Sequence, residues 1–231
     1  MISFSPCRKN LHRRRSEVIS DRFNDWSEPK FSAFKNTMPI FHFGQPLCSQ
    51  LPNAQWKRIP TLKQRQLIWS LCVGISIGLC IAFIWRTYYG TSLPLGSPSW
   101  EEIALSAIIL SIGHEAIHLL GFPYCGLNAK TVIGIWPQVG SPYVQYLLPM
   151  SRNRFITVAL LPFLVLSLLP FTLAYGNVAS VDQLSWISVL NCVGAGSDIF
   201  IASRVLFIVP SKASVIENAD ALYWWNSKFV Q

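Results

Sequence analysis

Two histidines, His114 and His118, stand four residues apart in the stretch GHEAIHLL, with Glu115 between them, inside an apolar run. On a helix, positions four apart share one face, so both imidazoles can turn a ring nitrogen toward a single Zn2+ ion. Glu115 falls beside that face, where a carboxylate can reach a zinc-bound water without being a ligand. There it would act as general base and later deliver a proton to a leaving group. Zinc suits this chemistry because it lowers the pKa of a bound water from about 15.7 to roughly 7. With four His and six Glu in 231 residues, chance would produce an HExxH roughly two times in a thousand.

A catalytic zinc site usually has three protein ligands and an open position. His12 and His42 lie in a basic N-terminal arm and read as solvated residues. Asp198, in VGAGSDIF, is the better third ligand. A charged group at membrane depth costs about 2.5 kcal/mol or more on insertion scales, so an intramembrane carboxylate is expected to have a partner. The competing partner is Arg204, six positions on, a spacing that matches helix faces poorly. Asn191 reads first as an interhelical contact, with a hydrogen bond behind a ligand as the alternative. Gly194, Ala195, Gly196 and Ser197 would let another helix approach closely.

The elements that must position these residues are legible as apolar runs. Residues 67–85 carry no charge, are flanked by Lys63, Arg65 and Arg86, and are long enough to span a hydrocarbon core. A Gly/Ser/Pro-rich link follows, in which Ser97 or Ser99 could cap a second helix running to about Leu120. Residues 122–154 are mixed, and the patches 131–136 and 143–148 around a Gly-Ser-Pro turn predict a β-hairpin or re-entrant loop. Residues 155–175 form a third span with kinks at Pro162 and Pro170, and residues 184–209 form the fourth. The fold class expected is an all-α integral membrane protein with about four transmembrane helices and a short β-hairpin or re-entrant loop between helices two and three. In domain terms, residues 1–64 are expected to be a largely disordered basic arm, 65–212 the transmembrane domain that carries the HExxH motif, and 213–231 a C-terminal tail.

Charge is distributed unevenly. Residues 1–66 hold twelve Lys or Arg against four Asp or Glu, while residues 67–231 hold seven against seven. The arm, the 122–154 loop and the tail carry most of the basic residues outside the spans, which places both termini on the cytoplasmic side. A basic arm beside a membrane segment is expected to lie against anionic lipid headgroups, and no nucleic-acid motif is present. The first residues show no secretory signal pattern, although an organellar transit segment fits their Arg-rich, acid-free start. Six cysteines without a CxxC pair read as packing residues. At 1.5 Å per residue, His114 lies about 10 Å and Asp198 about 18 Å from their cytoplasmic helix ends, in the same half of the membrane.

HEAIHLL, with GSDI eighty residues after His118 and MSRNRFITVALLPF between them, resembles the family of small membrane proteins known as putative zincin peptidases. That family is similar in turn to the site-2 protease group of intramembrane metalloproteases. The resemblance covers about residues 100–210. It implies His114, His118 and Asp198 as zinc ligands and Glu115 as the catalytic glutamate. The site-2 protease group usually carries its Asp within Asn-Pro-x-Asp-Gly, whereas this chain has Gly-Ser-Asp-Ile. The function expected is a membrane-embedded zinc metallopeptidase that hydrolyses peptide bonds of membrane-associated proteins. A non-catalytic metal-binding scaffold or regulator is the alternative. A di-iron oxygenase or desaturase would need many more histidines than four.

Overall fold

The computed structural model describes residues 38–48, 51, 56–60, 64–91, 100–138, 140–176, 180–218 and 221–226. The Arg-rich start of the arm, His12, the expected cap residues Ser97 and Ser99, and the expected lipid contact of residues 1–37 lie outside them. Among the described residues, four helical stretches are long and apolar enough to cross a membrane: Ile68–Tyr89, Ala104–Gly121, Arg152–Tyr175 and Val181–Ile208. They fall where the apolar runs predict them.

In chain order the elements are β1 (Ile40–Phe43), β2 (Lys57–Arg58), α1 (Gln64–Tyr89), α2 (Trp100–Gly121), β3 (Thr131–Trp136), β4 (Ser141–Tyr146), β5 (Met150–Ser151) and α3 (Arg152–Pro162). They continue with α4 (Leu169–Tyr175), α5 (Val181–Ile208), β6 (Ser214–Asn218) and β7 (Ala221–Trp225). The hairpin expected between the second and third spans is β3–β4, paired antiparallel from Thr131↔Tyr146 to Trp136↔Ser141. More β structure is present than the apolar pattern suggested. β1, within the stretch expected to lack regular structure, pairs parallel with β3. β2, β7, β6 and β5 form a second, antiparallel sheet, so the expected tail holds two paired strands, β6 and β7. These strands are short, and their partners lie far away in sequence, so no local alternation announces them.

The third apolar helical stretch is broken in the region of its two prolines. Residues Phe163–Leu168 form a π-helical turn between α3, which ends at Pro162, and α4, which has Pro170 in its first turn. Pro170 has no N–H to donate, and the wider turn is one way a helix accommodates that loss. Side chains from α5 bond to the oxygens along this break. Ser188 Oγ donates to Ser167 O at 2.6 Å, and Asn191 Nδ2 donates to Pro162 O at 3.1 Å and to Ser167 Oγ at 2.9 Å.

Helices α1 and α5 meet through glycine. A Cβ on Gly196 would stand 2.7 Å from Gly74 Cα, and one on Gly74 would stand 2.7 Å from Val193 O. Only a residue without a side chain permits that backbone approach. Gly194, grouped with Gly196 in the sequence, faces open space. Two apolar clusters complete the packing. One surrounds the fully buried Trp85, stacked on Phe171 at 4.3 Å. The other, including Phe122, Met150, Phe155, Val205 and Val215, joins the α2, α3 and α5 ends to the sheets.

Candidate metal centre

The spacing of His114 and His118 puts their ring centroids 4.9 Å apart on one face of α2, with the rings crossing at 76°. Both side chains are buried, each about one-tenth exposed. Each ring is held by its Nδ1. His114 Nδ1 lies 2.9 Å from Asn191 Oδ1 on α5, and His118 Nδ1 lies 2.9 Å from the carbonyl oxygen of Val158 on α3.

These partners assign the tautomers. A carbonyl only accepts, so His118 Nδ1 carries the proton. The Asn191 amide nitrogen already faces two acceptors, Pro162 O and Ser167 Oγ. Its oxygen therefore faces His114, whose Nδ1 donates to it. Both Nε2 atoms are left to point at Asp198 on α5, whose Oδ2 lies 2.8 Å from His114 Nε2 and 3.4 Å from His118 Nε2. In neutral rings those nitrogens carry lone pairs, so three electron-rich atoms converge on one small space. Such a donor set calls for a shared proton or a cation, and it fits zinc, which takes imidazole nitrogen and carboxylate oxygen. Imidazoles oriented from behind by a side-chain or backbone oxygen are the usual arrangement for histidine ligands.

His114, Glu115 and His118 offer donor atoms that all lie within 4.8 Å of one another. Glu115 differs from the histidines because its Oε2 accepts a hydrogen bond from the Val144 N–H of β4, at 3.0 Å. β4 is an edge strand of its sheet, and this amide bonds α2 instead of another strand. The Tyr143 side chain, next in line, lies over Gly134 of β3; a Cβ there would come within 2.6 Å of the Tyr143 hydroxyl oxygen.

A cavity of about 430 Å3 opens onto this cluster. Its wall includes Glu115, His118, Asp198, Tyr143, Phe155, Ile201, Arg204 and Glu217. Glu217, on β6, stands close enough to Glu115 to feel its charge. Burial, reinforced by the Glu115 carboxylate, pushes its carboxyl up to about 7. Burial also raises the Tyr143 phenol, with a further push from Glu217.

The residues singled out by their spacing are therefore together: His114, Glu115, His118 and Asp198 meet although they come from two helices. Asp198 does not pair with Arg204, whose guanidinium instead lies 6.0 Å from the Phe200 ring centroid. His42 bonds its own neighbour, Gln45 O, at 3.1 Å. Asn191 stands behind His114, so of its two readings the geometry takes the hydrogen bond to a candidate ligand. Val158 O and Val144 N–H are backbone groups with no sequence signal. Glu217 could have been noticed as an acid immediately after the apolar Val215 and Ile216.

The fold and the site thus describe a helical protein with an HExxH helix whose histidines face a carboxylate on a later helix. Residues 107–214 match the family model described as putative zincin peptidase, and this segment contains the whole cluster. Set against curated proteins and against solved structures, the chain matches none.

Proposed function

We propose that the protein is a membrane-embedded zinc metallopeptidase acting on membrane-associated proteins, with His114, His118 and Asp198 as zinc ligands and Glu115 as general base. The observation that carries this reading is the convergence of His114 Nε2, His118 Nε2 and Asp198 Oδ2, with each Nδ1 already occupied. Asp198 is a better third ligand than Glu115 because Oε2 of Glu115 is engaged by Val144. When bound, zinc supplies Lewis acidity that polarises a peptide carbonyl and acidifies a water toward about pKa 7.

The residues of the chain do the rest. Val144 N–H holds the Glu115 carboxylate at the cavity, positioned to take a proton from the attacking water and deliver it to the leaving amine. Asn191 and Val158 O fix the imidazoles so that neither Nδ1 competes for the ion. The β4 edge lies beside Glu115, where an unwound substrate strand could add its backbone hydrogen bonds. The four apolar helices support a multi-pass arrangement, and the uneven distribution of Lys and Arg is the ground for putting both termini in the cytoplasm and the arm against anionic lipid. The likeness to site-2 proteases rests on the same combination, an HExxH helix completed by an Asp on a later span.

The decisive experiment pairs metal content with cleavage. Wild-type protein purified in detergent is expected to hold near-stoichiometric zinc and to cleave a co-expressed membrane substrate. Glu115→Gln is expected to keep the zinc and stop the cleavage. Cleavage that persists in this variant would remove the general-base role.

A further inference from the structure

Arg204 is a cation in a membrane-spanning helix, and such residues usually face a partner or a task. Among the described residues His114 and His118 are engaged with Asp198, and Glu115 with Val144 N–H. Arg204 makes no hydrogen bond or ion pair among the described residues and approaches only the Phe200 ring. An arginine so near a helix end could simply snorkel to the interface. Its burial argues otherwise, because Arg204 is half-buried while Leu206, Phe207 and Ile208 beyond it are exposed.

Arg204 also lines the cavity of the site. Asp198, Ile201 and Arg204, spaced three apart on α5, all line the same cavity as Glu115 and His118. Six residues separate Asp198 from Arg204, about 9 Å along the helix. An extended peptide covers about 3.3 Å per residue, so that distance corresponds to two or three residues of substrate. Planar guanidinium groups bind carboxylates through paired hydrogen bonds, and the surrounding wall is largely apolar.

We propose that Arg204 is a specificity-determining residue that binds a carboxylate of the peptide substrate, an acidic side chain or the C-terminal group, two to three residues from the bond cut. This rests on the peptidase reading above and names the substrate class for it. Reversing the charge at Arg204 would put a carboxylate on this wall, which favours a cation.

The test uses the full chain, zinc-loaded in nanodiscs and carrying Glu115→Gln so that peptides are bound but not cut. Fluorescent Leu/Ala-rich peptides with amidated ends carry a single Asp, Asn or Lys, and a further Asn peptide ends in a free carboxylate. The Asp peptide, the free-acid peptide or both are expected to bind about tenfold more tightly than the Asn amide, as one charged hydrogen-bonded contact would give. These two arms separate an acidic side chain from a chain terminus. Arg204→Gln removes the difference while zinc content and thermal midpoint hold, Arg204→Lys restores part of it, and Arg204→Glu shifts preference to the Lys peptide.

Equal affinities with Arg204 present, no binding of either carboxylate peptide, or an equal loss for every peptide in Arg204→Gln would each overturn the proposal. So would competition by dihexanoyl phosphatidic acid that depends on Arg204 while peptide charge has no effect, because the site would then be one for lipid phosphate. Cleavage by the Glu115 protein is followed in parallel. Discrimination without cleavage removes the peptidase reading and leaves the anion site, and cleavage without discrimination does the reverse.

Discussion

Asn191 Oδ1 and His114 Nδ1 lie 2.9 Å apart, joining α5 to α2 behind the candidate ligand nitrogen. The same amide donates to Pro162 O and Ser167 Oγ, so one buried side chain ties three helical stretches together. Replacing it with Leu is expected to weaken zinc binding about 10- to 100-fold. It also leaves buried acceptors unmatched, at roughly 1–3 kcal/mol. Competition with a chelator measures the first effect and thermal unfolding the second. Unchanged zinc affinity would remove the orienting role.

Asp198→Ala and His118→Ala should each lose bound zinc in protein purified under identical conditions. Retention of zinc in Asp198→Ala would overturn the assignment of the third ligand. Chelation of the wild-type protein should lower its thermal midpoint, because an ion that binds only the folded state stabilises it by mass action. In the two variants the midpoint should no longer respond to the chelator.

Val144→Pro deletes one donor, the N–H that holds Glu115, on an edge strand whose backbone is already extended. Loss of a hydrogen bond to a charged group costs about 1.5–3 kcal/mol. Turnover is therefore expected to fall roughly 10- to 100-fold with zinc content unchanged, measured on the co-expressed substrate. Full turnover in Val144→Pro would show that Glu115 does not need this support.

Gly196→Ala forces a methyl group against Gly74 and the backbone of α1, whereas Gly194→Ala meets nothing within 4 Å. The first is expected to destabilise by about 1–3 kcal/mol. The second should be neutral or stabilising by up to about 1 kcal/mol, since Ala favours a helix. Thermal unfolding in detergent distinguishes them, and similar midpoints would contradict the close packing of α1 on α5.

Glu217 carries a pH dependence. Its carboxyl titrates near 7 in the folded chain, against an ordinary value of 4.5. Between those values the folded state holds a proton that the unfolded state has released, so the contribution of Glu217 to stability is fully present below about pH 4.5 and is lost as pH rises through about 7. The loss is at most roughly 3–4 kcal/mol, at about 1.4 kcal/mol per pH unit. Glu217→Gln should flatten that slope in unfolding midpoints measured from pH 5 to 8 on zinc-free protein. An unchanged slope would show that another group titrates.

The sequence by itself determined the parts set by local periodicity. His114 and His118 share a face because 3.6 residues make a turn, the apolar runs mark four helices because their length and composition suit a membrane, and the patches 131–136 and 143–148 narrow the link between the second and third helical stretches to a hairpin or re-entrant loop, of which β3–β4 is the hairpin. Only the tertiary structure decided that Asp198 meets both histidines and that Asn191 stands behind one of them. It also decided that Val158 O and Val144 N–H complete the surroundings. Those contacts depend on how α2, α3 and α5 approach one another. That approach follows from the Gly74–Gly196 contact, the π turn near Pro170 and the sheet on which β4 lies, none of which is written in the segment that bears the histidines. Backbone donors and acceptors are the same at every residue, so only the fold can select which of them orient the site.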